Sequence, residues 1–366
     1  MMKKCLLIDS TFACIPIMEA LLREYEVFTV GNNTSALFAV ENSKNHIFTD
    51  YSKIAVVKKI INKNMIEVSL PGCTDISLEV YGKLNPEFGT AISRVATKES
   101  FQAFCAKIGL KTPRSYLLRE KHPFPVIVKP DDSFSGKGIT VVDSEHQMGD
   151  AVQNAIENSA TGNYVIQEYL LGQLYSVSCF KRSNGSIQKF LVEEHCNQHA
   201  FSVDESFLVQ QVPKWGPDLD QIIRNIYLGL PKKIIFLHLQ FIVTKKGIYP
   251  IEMMLRSPGD LYSLLIQYST GIDYGALYAA SFGLNTSPES RPIDRKSNKI
   301  KRLTLKALPG EIVPEVILPT NTKDFHRTLP IGHLNTSALP VRYAVIFLKC
   351  CKLIHDAKDL NLHLKK

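Results

Sequence analysis

The chain has 366 residues, 45% of them hydrophobic, and its mean hydropathy is −0.02. This length and composition predict a globular protein of two or three domains with a sizeable core. The formal net charge is +8, and much of it lies in residues 291–302 and near the carboxy-terminal end. Because no aromatic side chains alternate with these charges, the sequence does not favour nucleic-acid binding. No apolar run has the length of a membrane span, so a membrane protein is not expected either.

The eight cysteines are scattered along the chain without a CxxC pair. Most of them lie within apolar runs, which predicts buried free thiols in a reducing compartment. The apolar run after the first two lysines is too short for a secretory signal and ends at Asp9. We therefore expect a cytoplasmic protein.

The amino-terminal segment alternates strand and helix patterns. Strands are predicted at Lys3–Asp9, Tyr25–Val30 and Met65–Leu70, and helices at Ile15–Glu24 and Ile54–Asn62. This order predicts a parallel sheet, and the missing G-x-G-x-x-G after the first strand argues against an NAD enzyme. Asp75 follows the third strand, where open α/β sheets present ligand groups; it is either such a group or a helix N-cap.

A helical period runs from Ala96 to Ile108. Thr97 is typical of an N-cap, with Ser100 behind it. Lys98 lies in the first turn, where the helix dipole disfavours a cation. That position indicates either a phosphate partner or a solvated surface lysine.

Residues 124–142 predict a short buried strand, a loop of small residues and a second strand. The first strand ends on Lys129, and the loop contains Lys137. The small residues of the loop allow backbone N–H groups to close over an anion; they are Ser133, Ser135, Gly136 and Gly138. No Walker A spacing is present. The segment therefore predicts either a flap over a triphosphate or a plain β-hairpin with a polar tip.

Two further strands are predicted at Tyr164–Leu170 and Tyr175–Phe180. The first carries Gln167 and Glu168 close to its end. Such a strand end suits recognition of a purine edge, and an ordinary edge strand is the alternative.

Residues 236–260 predict a hairpin whose alternation places Gln240 and Glu252 on one face as oxygen ligands for Mg²⁺. Arg256 follows, and its guanidinium can hold two phosphate oxygens at once. The alternative is a surface salt bridge between Glu252 and Arg256. Asp260 is predicted to be the N-cap of a helix at Leu261–Gln267.

The remaining chain predicts short strands, beginning with Ile300–Lys306, and a terminal helix at Val341–Lys358.

Four of these segments, taken in order, resemble the ATP-grasp superfamily. They read ATKESF; PVIVKP with SFSGKGI; IQEYLLGQLYSV; and FLHLQFIV followed by GIYPIEMMLRSPGD. The resemblance implies an α/β and α+β protein in which a Rossmann-like preATP-grasp domain at residues 1–94 precedes the two α+β subdomains of an ATP-grasp domain at 95–283. The smaller lid subdomain covers about 115–172, and 284–366 form an α+β extension.

The resemblance also implies roles for particular side chains. The residues implied to bind ATP are Lys98, Lys129, Ser133, Ser135, Gly136, Lys137, Gly138, Gln167, Glu168 and Leu170. Gln240 and Glu252 are implied metal ligands, and Arg256 and Lys129 are implied catalytic residues. The implied cofactors are ATP and Mg²⁺, with Mn²⁺ as an alternative metal.

Two positions depart from the family pattern. Met254 stands where the family usually has asparagine, and a thioether is a poor Mg²⁺ ligand, which puts a second metal ion in doubt. Leu174 stands where an acidic residue usually holds the ribose hydroxyls, so nucleotide affinity is lower or Glu168 takes over this role.

The implied activity is an ADP-forming ligase that activates a carboxylate as an acyl phosphate and joins it to an amine. The alternatives are transfer to a carrier thiol or a nucleotide-binding protein without turnover. The partners are then small molecules, with a carrier protein as an alternative, and relatives of this kind are commonly homodimers.

Overall fold

The computed structural model describes residues 2–31, 44–133, 136–196, 201–286, 299–337, 340–350 and 364–365. Residues 291–298 of the basic cluster, Ser135 and most of the segment after 350 therefore lie outside the described residues. Within the described part, no helix is long and apolar enough to cross a membrane. Five cysteines are buried free thiols, as expected from their apolar surroundings: Cys5, Cys14, Cys73, Cys105 and Cys179.

The amino-terminal part folds as the predicted parallel sheet. Its strands lie in the order β3-β2-β1-β4 and are β1 (Lys3–Ile8), β2 (Tyr25–Gly31), β3 (Asn45–Phe48) and β4 (Val68–Pro71). The helices are α1 (Ile15–Leu22), α2 (Ile54–Asn64), α3 (Asp75–Leu84) and α4 (Pro86–Ser93). The strands are almost continuous apolar runs because helices cover both faces of a parallel sheet. The carboxyl ends of β1 and β4 meet at one edge, where Asp9 and Cys73 lie side by side.

Helix α5 (Lys98–Lys107) leads into a small antiparallel sheet of order β5-β8-β6-β7. The strands are β5 (Ser115–Tyr116), β6 (Val126–Pro130), β7 (Thr140–Val142) and β8 (Tyr164–Glu168). One face of this sheet packs on helix α6 (Met148–Glu157) through a valine-rich cluster that includes Val126 and Val128. Ile127 and Lys129, which alternate with these valines, therefore face the opposite side.

A large antiparallel sheet of order β13-β12-β9-β10-β11-β14-β17-β16 forms the rest of the core. Its strands are β9 (Gln173–Lys181), β10 (Ile187–His195), β11 (Glu205–Leu208), β12 (Phe236–Thr244), β13 (Gly247–Met254), β14 (Ile300–Ala307), β16 (Thr322–Arg327) and β17 (Val341–Lys349). Helices α5 and α7 (Gly216–Gly229) pack on one face. Helices α8 (Tyr262–Thr270) and α9 (Tyr274–Ala280) pack on the other. A separate pair joins β15 (Glu315–Val316) and β18 (Leu364–Lys365).

The predicted terminal helix at Val341–Lys358 is wrong for its first half, because residues 341–349 form strand β17 between β14 and β16. Residues 343–348 are buried on both sides of the sheet. A short run that is apolar on every side has no periodicity that separates a strand from a buried helix. Residues 351–363 of the prediction lie outside the described residues.

The parallel sheet docks on the large sheet through helices α1 and α9. Gly275 in α9 approaches α1 so closely that an added Cβ would lie 1.9 Å from the carbonyl oxygen of Pro16. The buried hydroxyl of Tyr278, also in α9, donates to the carbonyl oxygen of Pro71 at 3.0 Å. This contact sets the carboxyl end of β4, and with it Asp75, against the loop that follows β13.

Candidate active site

Lys98 lies at the start of α5, held by a capping box. The Thr97 hydroxyl accepts from the backbone N–H of Ser100, and the Ser100 hydroxyl accepts in return from the backbone N–H of Thr97. The Lys98 ammonium donates to the carbonyl oxygen of Ser133 at 2.9 Å and to that of Asp131 at 3.3 Å. The helix start predicted from the sequence is confirmed, and it brings this lysine to the base of the flap.

Lys129 is the last-but-one residue of β6 and is only 8% exposed. Burial, and after it repulsion from Lys98, lowers the pKa of its ammonium to about 8. The carboxylates of Glu252 and Asp131 only partly oppose this. Lys98 and Glu252 are therefore both close enough to Lys129 to influence its pKa. An anion between the two lysines would be stabilised by both.

The loop between β6 and β7 has the backbone that its glycines permit. Gly136 and Gly138 have φ values of +76° and +74°, in the left-handed region. The Ser133 hydroxyl donates to the carbonyl oxygen of Lys137 at 2.7 Å, which closes the base of the loop. A Cβ at Gly136 would lie 2.5 Å from the carbonyl oxygen of Phe201, so the loop rests directly on the segment that precedes β11. Ser135, another residue implied to bind ATP, lies outside the described residues.

The strand that carries Gln167 and Glu168 is not an edge strand, because β8 lies between β5 and β6. The buried Gln167 amide donates to the Ser115 hydroxyl at 3.4 Å. The backbone of Glu168 pairs with Arg114 on the neighbouring segment, with its N–H donating to the Arg114 carbonyl at 2.8 Å. Gln167 is therefore held within the small antiparallel sheet of β5 to β8. Leu170 follows the end of the strand and is half-buried.

Gln240 and Glu252 are direct cross-strand partners on β12 and β13, as the alternation predicted. The Gln240 amide nitrogen donates to Glu194 on β10 at 2.7 Å. Since that nitrogen is engaged, the carbonyl oxygen of the same amide is left as the acceptor beside Glu252. Two neutral or anionic oxygens in this arrangement fit a hard cation such as Mg²⁺.

Glu194 is a buried carboxylic acid that sequence reasoning did not connect with Gln240. The pKa of Glu194 is raised to about 7, mainly by burial, and the hydrogen bond from Gln240 opposes this rise. The two residues are 46 positions apart. No local pattern links them, because β9 lies between their strands.

Arg256 pairs with Asp75, not with Glu252, so the alternative of a surface salt bridge between Glu252 and Arg256 is wrong. Its Nε donates to Asp75 Oδ1 at 2.8 Å and its Nη2 to Asp75 Oδ2 at 2.9 Å. Burial opposes the charge on Arg256, but the Asp75 carboxylate outweighs burial and raises the pKa of the guanidinium. Asp75 is not an N-cap either, because the Thr74 hydroxyl caps α3.

Asp260 was expected to cap the helix after the hairpin, and this prediction is also wrong. Leu261 is the N-cap of α8, without a side-chain hydrogen bond. The Asp260 carboxylate lies 3.7 Å from Arg302 on β14 and 3.4 Å from Arg342 on β17. These arginines lower the pKa of Asp260 against the opposing effect of burial. This cluster of Asp260, Arg302 and Arg342 forms only because β14 and β17 pair in the large sheet, so it could not be predicted from the local sequence.

Comparisons with known proteins agree with this architecture. Residues 122–263 match the ATP-grasp domain. An L-amino acid ligase from Bacillus licheniformis superposes with a TM-score of 0.74 at 14% identity, over 94% of this chain and 93% of that one. An N5-carboxyaminoimidazole synthetase from Staphylococcus aureus, complexed with ADP, superposes with a TM-score of 0.72 at 13% identity, over 96% and 94%.

A phosphoribosylglycinamide synthetase from Anaerococcus prevotii is also similar, with a TM-score of 0.66 at 13% identity over 96% of this chain and 95% of that one. At such low identity these likenesses define the fold. The chain has the ATP-grasp fold along almost its whole length. Within it, residues 122–263 carry the match to the ATP-grasp domain.

Proposed function

We propose that this protein is an ATP-dependent, ADP-forming ligase. In the proposed reaction a substrate carboxylate attacks the γ-phosphate of ATP, which yields an acyl phosphate and ADP. An amine then attacks the acyl carbon, forms the amide bond and displaces phosphate. In this reaction the protein mainly positions the substrates and places positive charge around the phosphoryl group that is transferred. It takes little covalent part.

The observation that carries the proposal is the pair of lysines at the base of the flap. The pKa of the buried Lys129 is lowered, both by its burial and by the field of Lys98. A cation placed this way destabilises the folded protein until an anion arrives, which is typical of a phosphate site. The flap of Gly136 and Gly138 next to it can close over phosphates with its backbone N–H groups.

The hairpin of β12 and β13, with the residues that follow it, would supply the other groups that bind a nucleoside triphosphate. Gln240 and Glu252 would hold Mg²⁺ through their side-chain oxygens. When bound, the metal neutralises charge on the phosphates. Arg256 lies two residues beyond Met254, at the end of the strand that carries Glu252, and its planar fork suits a phosphoryl group. The main chain at Glu168 to Leu170 lies at the end of the lid strand, and we assign it to the adenine.

Met254 favours a second candidate, a nucleotide-binding protein that does not turn over. On β13 it shares a face with Glu252 and pairs with His238. With a thioether in place of an amide oxygen, a second Mg²⁺ ion would have no hard ligand at this position. ADP formation by the wild type separates the two candidates, because a ligase forms ADP and a binding protein does not. In a binding protein, Met254→Asn restores the hard ligand and should restore some ADP formation.

The test is ADP release from ATP and Mg²⁺ with pools of amino acids and other small acids, offered singly and in pairs. Release that requires a pair is the expected result. Glu252→Ala and Arg256→Ala should abolish it. The exposed residues Glu79 and Arg224 provide matched controls, and their alanine variants should keep full activity. Normal turnover in the Glu252 or Arg256 variant would refute the assignment.

A further inference from the structure

Each nitrogen of the Arg256 guanidinium donates one hydrogen bond in this structure, which uses three of its five N–H groups. Nε and Nη2 hold both oxygens of Asp75, and Nη1 donates to the carbonyl oxygen of Ser257 at 3.1 Å. The pair joins two parts of the chain that are 181 residues apart. Asp75 thus occupies the bidentate position that an arginine offers to an anionic substrate group.

Under the proposed function, an anionic group that binds the Nε–Nη2 edge of Arg256 displaces Asp75 from it. Two properties of Asp75 favour its release from Arg256. Its side chain is 62% exposed, whereas that of Arg256 is 8% exposed. Helix α3 does not depend on the Asp75 side chain for its cap, because the Thr74 hydroxyl accepts from the backbone N–H of Ser77 at 3.1 Å. The carboxylate can therefore turn into solvent without leaving an uncapped helix, and the incoming anion takes over the pairing of the buried guanidinium.

The exchange leaves Asp75 next to the acyl phosphate and without a cation. Among the described residues, Arg256 is the only salt-bridge partner of Asp75. The amine substrate has a matching requirement, since an alkyl amine reaches the site mainly as an ammonium ion and needs an anion to receive it. If the acyl phosphate takes the guanidinium edge that Asp75 leaves, the released carboxylate remains close to the group that the amine must attack.

We propose that Asp75 is the binding site for the ammonium group of the amine substrate. This inference rests on the proposed function and assigns its second substrate to a residue. Asp75 is held by Arg256 in the absence of substrate and is handed over to the ammonium when an anion takes the guanidinium. The handover makes amine binding follow carboxylate activation, because the amine's counter-charge is released only then.

A purely structural clamp between the two domains would behave differently. Breaking a clamp disturbs both substrates and the stability of the fold together. Removing the charge of a substrate-binding Asp75 weakens the amine alone. It also removes the competitor for Arg256, so the carboxylate substrate should bind as well as before or more tightly.

The experiment compares Asp75→Asn with the wild type in two assays, using the substrate pair that the ADP screen identifies. The first assay traps the acyl phosphate with hydroxylamine, a small nucleophile that is uncharged at neutral pH, and measures the hydroxamate. The second measures amide formation against amine concentration. We expect an unchanged rate of hydroxamate formation, an unchanged or lower KM for the carboxylate, and a KM for the amine raised roughly 10- to 100-fold.

Two further variants make every result decisive. Asp75→Glu keeps the charge and should restore most of the amine affinity. Glu79→Gln, one turn along the same exposed helix face, should match the wild type. Equal losses for both substrates, or an unchanged KM for the amine, would overturn the inference. If Asp75→Asn does not fold, wild-type binding of the amine is compared with that of its neutral hydroxyl analogue, and equal affinity for the two overturns it. Failure of the proposed function itself would look different, because the wild type would then give neither ADP nor hydroxamate.

Discussion

Replacing Lys129 by methionine should stabilise the substrate-free protein while removing its affinity for ATP. Lys129 is buried, and its pKa is lowered from the ordinary 10.5 to about 8, first by burial and then by Lys98. At about 1.4 kcal/mol for each pKa unit, the folded state is penalised by about 3 kcal/mol at pH 7. Methionine keeps much of the apolar stem and loses the charge, so it should recover most of that free energy.

The pH dependence gives the prediction its sign. The pKa of Lys129 is lower in the folded state than in the unfolded state, so the penalty is complete below pH 8. It disappears as the pH rises towards 10.5, because both states then lose the proton. The advantage of the methionine variant should therefore be greatest at pH 7 and fall to about half by pH 9.5.

Urea unfolding followed by circular dichroism at several pH values measures this difference. Lys107→Met, at an exposed end of helix α5, is the control and should change the free energy of unfolding by no more than about 0.5 kcal/mol. ATP with Mg²⁺, at about 100 times its Kd, should stabilise the wild type by about 3 kcal/mol and leave Lys129→Met unaffected. A methionine variant that is less stable than the wild type at pH 7, or a difference that does not change with pH, would refute the reasoning.

Three other outcomes follow from the same site. Gly136→Ala places a Cβ 2.5 Å from the Phe201 carbonyl oxygen and should raise the KM for ATP roughly 10-fold or more. Gly162→Ala is the control, because Gly162 has a similar φ and no atom lies within 4 Å of the added Cβ. Equal KM values for the two variants would contradict a closed loop over the phosphates. Nucleotide binding should take up protons near pH 8, because phosphates raise the pKa of Lys129 again. Calorimetry in buffers of different ionisation enthalpy measures this uptake. No proton uptake would exclude contact between the phosphates and Lys129. Glu194→Ala should weaken Mn²⁺ binding in the presence of ADP about 10- to 100-fold, because the Gln240 side-chain amide then loses its partner and can rotate. Electron paramagnetic resonance measures the affinity for Mn²⁺. An unchanged affinity would show that Glu194 does not support the metal site.

The features that the sequence predicts well depend on neighbours along the chain. Thr97 and Ser100 lie three residues apart, and this spacing alone defines the start of α5. The small residues around Gly136 predict the turn between β6 and β7. The alternation along β12 and β13, joined by a short turn, places Gln240 opposite Glu252 without knowledge of any other strand.

The partners of the charged residues could not be predicted in this way. Asp75 and Asp260 are both followed by helices, so an N-cap is the local expectation, but each carboxylate instead pairs with arginines far along the chain. An ion pair is more favourable than a cap when the arginine is buried, because an unpaired buried charge is costly. Which arginine lies within reach depends on domain docking and on sheet order.

The sequence pointed to the ATP-grasp fold through the resemblance of four segments to that superfamily. Short-range spacing and strand periodicity determined the start of α5, the loop of small residues between β6 and β7, and the hairpin that carries the candidate metal ligands. Only the tertiary structure decided that residues 341–349 form a strand, that Glu194 holds Gln240, and that Asp75 occupies Arg256. These three facts depend on contacts across sheet neighbours and between domains. The free energy of such contacts comes from burial and from charge pairing, and neither is written in the spacing of residues along the chain.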